Sequence, residues 1–71
     1  MDVAWVYILE CSDGSYYTGK TQNLEVRLAA HQQGTFKGYT FNRRPVKVVF
    51  SQGFPAFYEA IAAERQVKGW S

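Results

Sequence analysis

Arg27, His31 and Glu64 stand where helical periodicity calls for apolar side chains, and each of them offers chemistry instead. The spacing predicts a first helix over residues 22–33, capped by Thr21 or Asn23 and stopped by Gly34. Leu24, Val26, Leu28 and Ala30 set its apolar arc. Arg27 and His31 fall inside that arc, one turn apart, while Glu25, Gln32 and Gln33 face away. A second helix is predicted from about Ala56 to Trp70, with Phe57, Ala60, Ile61, Ala63, Val67 and Trp70 on its apolar side. Glu64 lies inside this arc and Lys68 beside it. Burying a lone charge is expensive, so each of these groups needs a partner or a polar cleft. Two readings stay open. One is a satisfied ion pair, Arg27 with Glu64 or Glu64 with its i+4 neighbour Lys68. The other is a site. A single His31 is more often a hydrogen-bonded core histidine than a ligand. One glutamate alone is a weak metal site, although a hard cation such as Mg²⁺ keeps most of its waters and takes phosphate oxygens from a substrate.

The elements that must position these residues are few. Residues 4–10 are aromatic and β-branched and read as a strand covered on both faces. Residues 15–20 read as a second strand after the turn Ser12-Asp13-Gly14. A two-residue Asp13-Gly14 turn would put Tyr7 and Tyr17 on opposite faces. A three-residue turn, with Gly14 in the left-handed region, pairs Cys11 with Ser15, sets Leu9 opposite Tyr17 and puts both tyrosines on one face. Residues 35–44 read as a polar, basic loop, and residues 46–51, after Pro45, as a third strand. The order β-β-α-β-α predicts an α+β fold, a small, mainly antiparallel three-stranded sheet with flanking helices.

Seventy-one residues make one compact domain over 1–71. Five Tyr, five Phe and two Trp supply much of its core, since aromatics bury large areas. The net charge of +2 is compatible with nucleic acid without demanding it, and Arg43-Arg44 with Lys37 and Lys47 is the strongest basic feature. Cys11 is the single cysteine, which excludes an internal disulfide and a cysteine-based zinc site. There is no signal peptide and no apolar run near membrane-spanning length, so the expected setting is cytoplasmic, with no membrane partner.

Taken in order, Trp5-Val6-Tyr7, Tyr17-Thr18-Gly19, Leu24-x-x-Arg27-Leu28-x-x-His31 and Glu59-Ala60-x-x-x-Glu64 with Lys68 resemble the GIY-YIG nuclease domain, in particular its small stand-alone bacterial members. The likeness covers nearly the whole chain. It departs from the pattern at Trp-Val-Tyr in place of Gly-Ile-Tyr and at Tyr-Thr-Gly in the second triplet. Many family domains also carry a polar residue, often Asn, beyond the glutamate helix. This chain ends seven residues after Glu64, the expected mark of a C-terminally shortened or naturally minimal form.

The resemblance implies a metal-dependent endonuclease that hydrolyses DNA phosphodiesters, with RNA not excluded, and that is directed more by substrate structure than by sequence. It implies Glu64 as ligand of Mg²⁺ or Mn²⁺ and Arg27 as clamp on the scissile phosphate. Tyr7 and Tyr17 would flank the attacking water, one of them as general base. Lys20 would supply positive charge, and His31 would orient or shuttle a proton. Lys37, Arg43 and Arg44 are the expected backbone contacts, and Tyr39 and Phe41 either stack on bases or pack under the loop. So small a domain is expected to draw specificity from substrate shape, a second copy or a protein partner. This mechanism requires both tyrosines on the face reached by Arg27, His31 and Glu64, and so selects the three-residue turn. The competing readings are a binding module that keeps the fold without catalysis and a protein-interaction domain whose inward charges are only structural.

Overall fold

The structure, a computed structural model, describes residues 1–35 and 38–69. The expected backbone contact Lys37 and the expected apolar residue Trp70 lie outside them. Strand β1 (Ala4–Glu10) is central, flanked by β2 (Tyr16–Thr21) and β3 (Lys47–Phe54), in the order β2-β1-β3. Both pairings are antiparallel. Helix α1 (Leu24–Gln33) follows β2, and helix α2 (Phe57–Lys68) follows β3. A short 3₁₀ turn (Phe41–Arg43) sits between α1 and β3. The predicted α+β fold and its element order are therefore what the chain adopts.

The central strand explains the layering. Alternate residues of a strand point to opposite faces. Ala4 and Val6 are buried with Ala60 and Val67 of α2, and Ile8, Phe54 and Ala63 pack around them. Tyr7, Leu9 and Cys11 are buried on the other face with Val46, against Leu24 and Leu28 of α1 and Tyr17 of β2. Each helix therefore covers its own face of the sheet, which is why β1 is apolar in both registers. The β1–β3 register slips between Ile8 and Leu9.

The hairpin has the three-residue turn. Cys11 N–H donates to the Ser15 carbonyl at 2.8 Å, and Gly14 N–H to the Cys11 carbonyl at 3.0 Å. Leu9 stands opposite Tyr17 and Tyr7 opposite Gly19. Gly14 has φ +85°, the left-handed conformation this turn needs. Asn23 caps α1 by accepting from Val26 N–H at 3.2 Å, and Gly34 ends it at φ +75°.

Several helix-face expectations need correction. Val26, expected in the apolar arc, is exposed, and so is Phe57 at the first turn of α2. Ten residues make the α1 arc narrow, and Leu24 with Leu28 fills the space over the sheet. Gln32, expected to face away, clamps the start of β3. Its amide nitrogen donates to the Val46 carbonyl, and its oxygen accepts from Val46 N–H at 3.1 Å, as a neighbouring strand would. The third strand also runs further than expected, to Phe54. Among the described residues no helix is long and apolar enough to cross a membrane.

The turn supports a clean stability test. Nothing lies within 4 Å of a Cβ built on Gly14, so a side chain there costs only backbone strain. Gly14→Ala is expected to destabilise the domain by about 1–2 kcal/mol in urea titrations, with the slope unchanged.

Candidate functional site

Tyr7 is wholly buried in the central strand, with its hydroxyl on the α1 face. Gly19, directly opposite on β2, leaves room for the ring. A Cβ at position 19 would stand 2.5 Å from the phenol oxygen and 3.0 Å from Tyr17 Cε2. Tyr17, two residues earlier on β2, projects from the same face, and the two ring centroids are 6.3 Å apart. From above, α1 lays His31 against both, at 5.8 Å from Tyr7 and 5.3 Å from Tyr17. One turn back on α1, Arg27 is close enough to Tyr7 for its charge to act on the phenol.

A chain of buried polar groups runs through this cluster. Tyr7 Oη lies 3.0 Å from His31 Nε2, and His31 Nδ1 lies 2.8 Å from Thr40 Oγ1. All three residues are at most 2% exposed. Burial pushes the Tyr7 phenol up to about 12; Tyr17 and Glu64 add to the rise, and Arg27 opposes it through its charge. Burial also lowers the His31 value, and the nearby Arg27 charge lowers it further. Near neutral pH the phenol therefore keeps its proton and the imidazole is uncharged.

Glu64 comes from the other side of the sheet. It is buried on α2, where its Oε1 accepts from Lys20 Nζ at 2.9 Å and its Oε2 lies 3.5 Å from Lys68 Nζ. Lys20 stands opposite Val6 on β1 and so points to the α2 face. The i+4 pair with Lys68 is thus present, with Lys20 as the nearer partner. Glu64 thus lies on the α2 side rather than on the tyrosines' face that the mechanism requires, and acts on Tyr7 through its charge. The cation that pulls Tyr7 down is Arg27, whereas Lys20 is committed to Glu64.

The loop before β3 continues the cluster outward. Tyr39 stacks on Tyr17, with centroids 6.0 Å apart and planes at 25°. The Arg43 guanidinium sits 4.0 Å above the Tyr39 ring. Arg43 Nε donates to Asp13 Oδ2 at 3.0 Å and Nη1 to the Tyr39 carbonyl at 2.7 Å. Ser12 N–H donates to the Arg43 carbonyl at 2.9 Å, so the hairpin turn and this loop are tied together. Hydrogen bonds from Ser15 hold the Asp13 carboxyl below its usual range, with Arg43 helping. Arg44 donates to the Phe41 carbonyl at 2.9 Å, lies over the Phe41 ring, and reaches towards the Gln32 carbonyl at the end of α1. Both arginines expected to meet a nucleic-acid backbone therefore have partners within the protein.

Of the residues singled out in the sequence, Tyr7, Tyr17, Arg27 and His31 converge on one face, with Tyr39 and Phe41 in the adjoining loop. Lys20 and Glu64 form a pair on the other. Gly19 and Asp13 enter the sequence reading only as parts of a motif and a turn, and Thr40 not at all, so their contacts with Tyr7, Arg43 and His31 were missed. The chosen hairpin register already sets Gly19 opposite Tyr7 and could have exposed the first. No periodic pattern marks Thr40 or Asp13, because a loop and a turn supply them.

Comparison with known proteins bears on this arrangement. A family model described as the GIY-YIG catalytic domain matches residues 3–71. A UPF0213 protein of Streptococcus pneumoniae is 48% identical over 92% of this chain and 66% of its own length. The chain thus spans about two thirds of that relative. The solution structure of the UPF0213 protein BH0048 from Bacillus halodurans is similar, with a TM-score of 0.59 and 43% identity over 96% of this chain and 72% of that one. The solution structure of the E. faecalis protein EF2693 matches with a TM-score of 0.64 and 37% identity, over all of this chain and 79% of that one.

Two outcomes follow from the geometry. Gly19→Ala forces a methyl group into the Tyr7 phenol, and overpacking of this kind is expected to cost about 1–3 kcal/mol in chemical denaturation. His31 has a lower value folded than unfolded, so the unfolded chain takes up its proton first as pH falls. Stability should be full above about pH 6.5 and decline below it. His31→Gln should flatten that part of a melting-temperature profile.

Proposed function

The chain belongs to the GIY-YIG catalytic domain family, and from that membership we propose that it is an endonuclease that hydrolyses DNA phosphodiester bonds with a divalent metal ion. The observation that carries this reading is the convergence of Tyr7, Tyr17, Arg27 and His31 on one sheet face. Arg27 binds a non-bridging oxygen of the scissile phosphate and offsets the charge that grows there. Tyr17, half-buried at the mouth, meets the attacking water. Tyr7 and His31 behind it take up the proton that this water loses. The phenol oxygen gains a proton as its own passes to His31 Nε2, which the neutral imidazole is ready to accept.

Glu64 is the residue that would hold the metal. Among the described residues no three His, Cys, Asp or Glu side chains are grouped to cage an ion. One carboxylate suits a hard cation that keeps its waters and is completed by substrate oxygens, and Lys20 and Lys68 hold this one in place. A divalent ion held at Glu64 would supply Lewis-acid stabilisation of the phosphate and of the leaving 3′ oxygen, and the action of the Glu64 charge on Tyr7 is what ties this carboxylate to the Arg27 side.

Substrate choice rests on shape more than sequence, because one small module offers only about 600–1,000 Å² of interface. A second copy or a protein partner would extend it. Arg43 and Arg44 edge the face that receives the backbone, in a protein that works in the cytoplasm.

Labelled duplex, nicked, flapped, branched and single-stranded DNAs, incubated with Mg²⁺ or Mn²⁺, test the proposal. Metal-dependent cutting is expected, abolished by Glu64→Gln and reduced about 10²–10³-fold in kcat by Arg27→Ala. Absence of cutting, with wild type and Glu64→Gln binding DNA at the same affinity and salt slope, would establish a non-catalytic binding module instead.

A further inference from the structure

Thr40, which the nuclease reading does not use, is one of the most buried polar residues of the described chain. Its hydroxyl faces the one ring nitrogen of His31 that Tyr7 does not use. We propose that Thr40 is a positioning residue that holds His31 in the tautomer protonated at Nδ1, leaving Nε2 as the acceptor for the Tyr7 proton. This rests on the nuclease reading only in its consequence for rate.

The assignment follows from the donors. A guanidinium has no acceptor, so Arg27, whose charge acts on Tyr7, cannot take the phenol proton. The single hydroxyl proton of Tyr7 needs an acceptor of its own, and a wholly buried group cannot find it in bulk water. His31 Nε2, at 3.0 Å, is placed to accept it. The neutral ring then carries its proton at Nδ1, 2.8 Å from Thr40 Oγ1. A hydroxyl serves either tautomer, so the phenol makes the choice and Thr40 stabilises it.

Thr40 is itself held firmly. Arg43 N–H donates to its carbonyl at 3.0 Å in the 3₁₀ turn, and Arg43 is fastened to Asp13 and Tyr39. The loop thereby reaches the proton path without entering the site. Without the Thr40 hydroxyl, a buried Nδ1–H would have lost its acceptor, and the proton would be better placed on Nε2. In that tautomer the imidazole donates to Tyr7 and can no longer accept from it.

His31 is the only histidine in the chain, so ¹⁵N-histidine labelling gives a spectrum with a single imidazole. Well above neutral pH, the wild type should show Nδ1 as the protonated nitrogen and Nε2 as the unprotonated one. Thr40→Val, nearly the same shape, should move the population towards protonated Nε2. It should also lower kcat for DNA cleavage about tenfold with little change in KM, and Thr40→Ser should restore both. A wild type protonated mainly at Nε2, or a folded Thr40→Val with an unaltered tautomer, would overturn the proposal. Because the spectrum is read without substrate, the tautomer is decided even if no DNA is cut, and in that case only the nuclease reading fails. If Thr40→Val does not fold, the wild-type spectrum alone decides between the two tautomers.

Discussion

A tyrosine hydroxyl sealed inside the central strand has to be satisfied by the protein itself, and much of this small domain is arranged around that requirement. Tyr7 fills the space left by Gly19 and rests against Tyr17 and His31. Its oxygen engages His31 under the influence of the Arg27 charge, and His31 in turn engages Thr40. An unpaired buried polar group would cost about 1–3 kcal/mol, a large share of the stability of so short a chain. Holding the chemical groups in place and satisfying the core are thus one task. The same contacts that would serve proton transfer keep the sheet and α1 together.

Much of this was legible because it is local. Alternation along β1 and β2 leaves two hairpin registers, and the mechanism implied by the resemblance selects the one that puts Tyr7 and Tyr17 on a shared face. The position of Arg27 and His31 follows from one helical turn. What could not be read are contacts between distant segments that no period governs. Lys20 meets Glu64 across 44 positions. Gln32 imitates a strand partner for Val46, and Thr40 arrives at His31 from a loop. The wheel misjudged Val26 and Phe57 because a helix wheel shows which side is apolar, not how wide a strip the sheet can cover.

The basic loop shows that composition gives charge but not geometry. Arg43 and Arg44 look like solvated cations in the sequence. In the fold one grips the hairpin turn and lies over Tyr39, and the other closes the end of α1. Each guanidinium satisfies backbone carbonyls that the loop and the helix terminus would otherwise leave bare. Their charge remains near the surface, but their geometry is set from within.

The strand order β2-β1-β3 divides the chain in time as well as in space. The β1–β2 hairpin and α1 are made of contiguous residues, so their contacts close with short loops. Tyr7, Tyr17, Arg27 and His31 all lie in this first, quickly joined half. The second half adds β3 across a long connection and brings Thr40 and Glu64. The hairpin and α1 thus hold Tyr7, Tyr17, Arg27 and His31 through local contacts, while Thr40 and Glu64 are joined to that half by contacts distant in sequence.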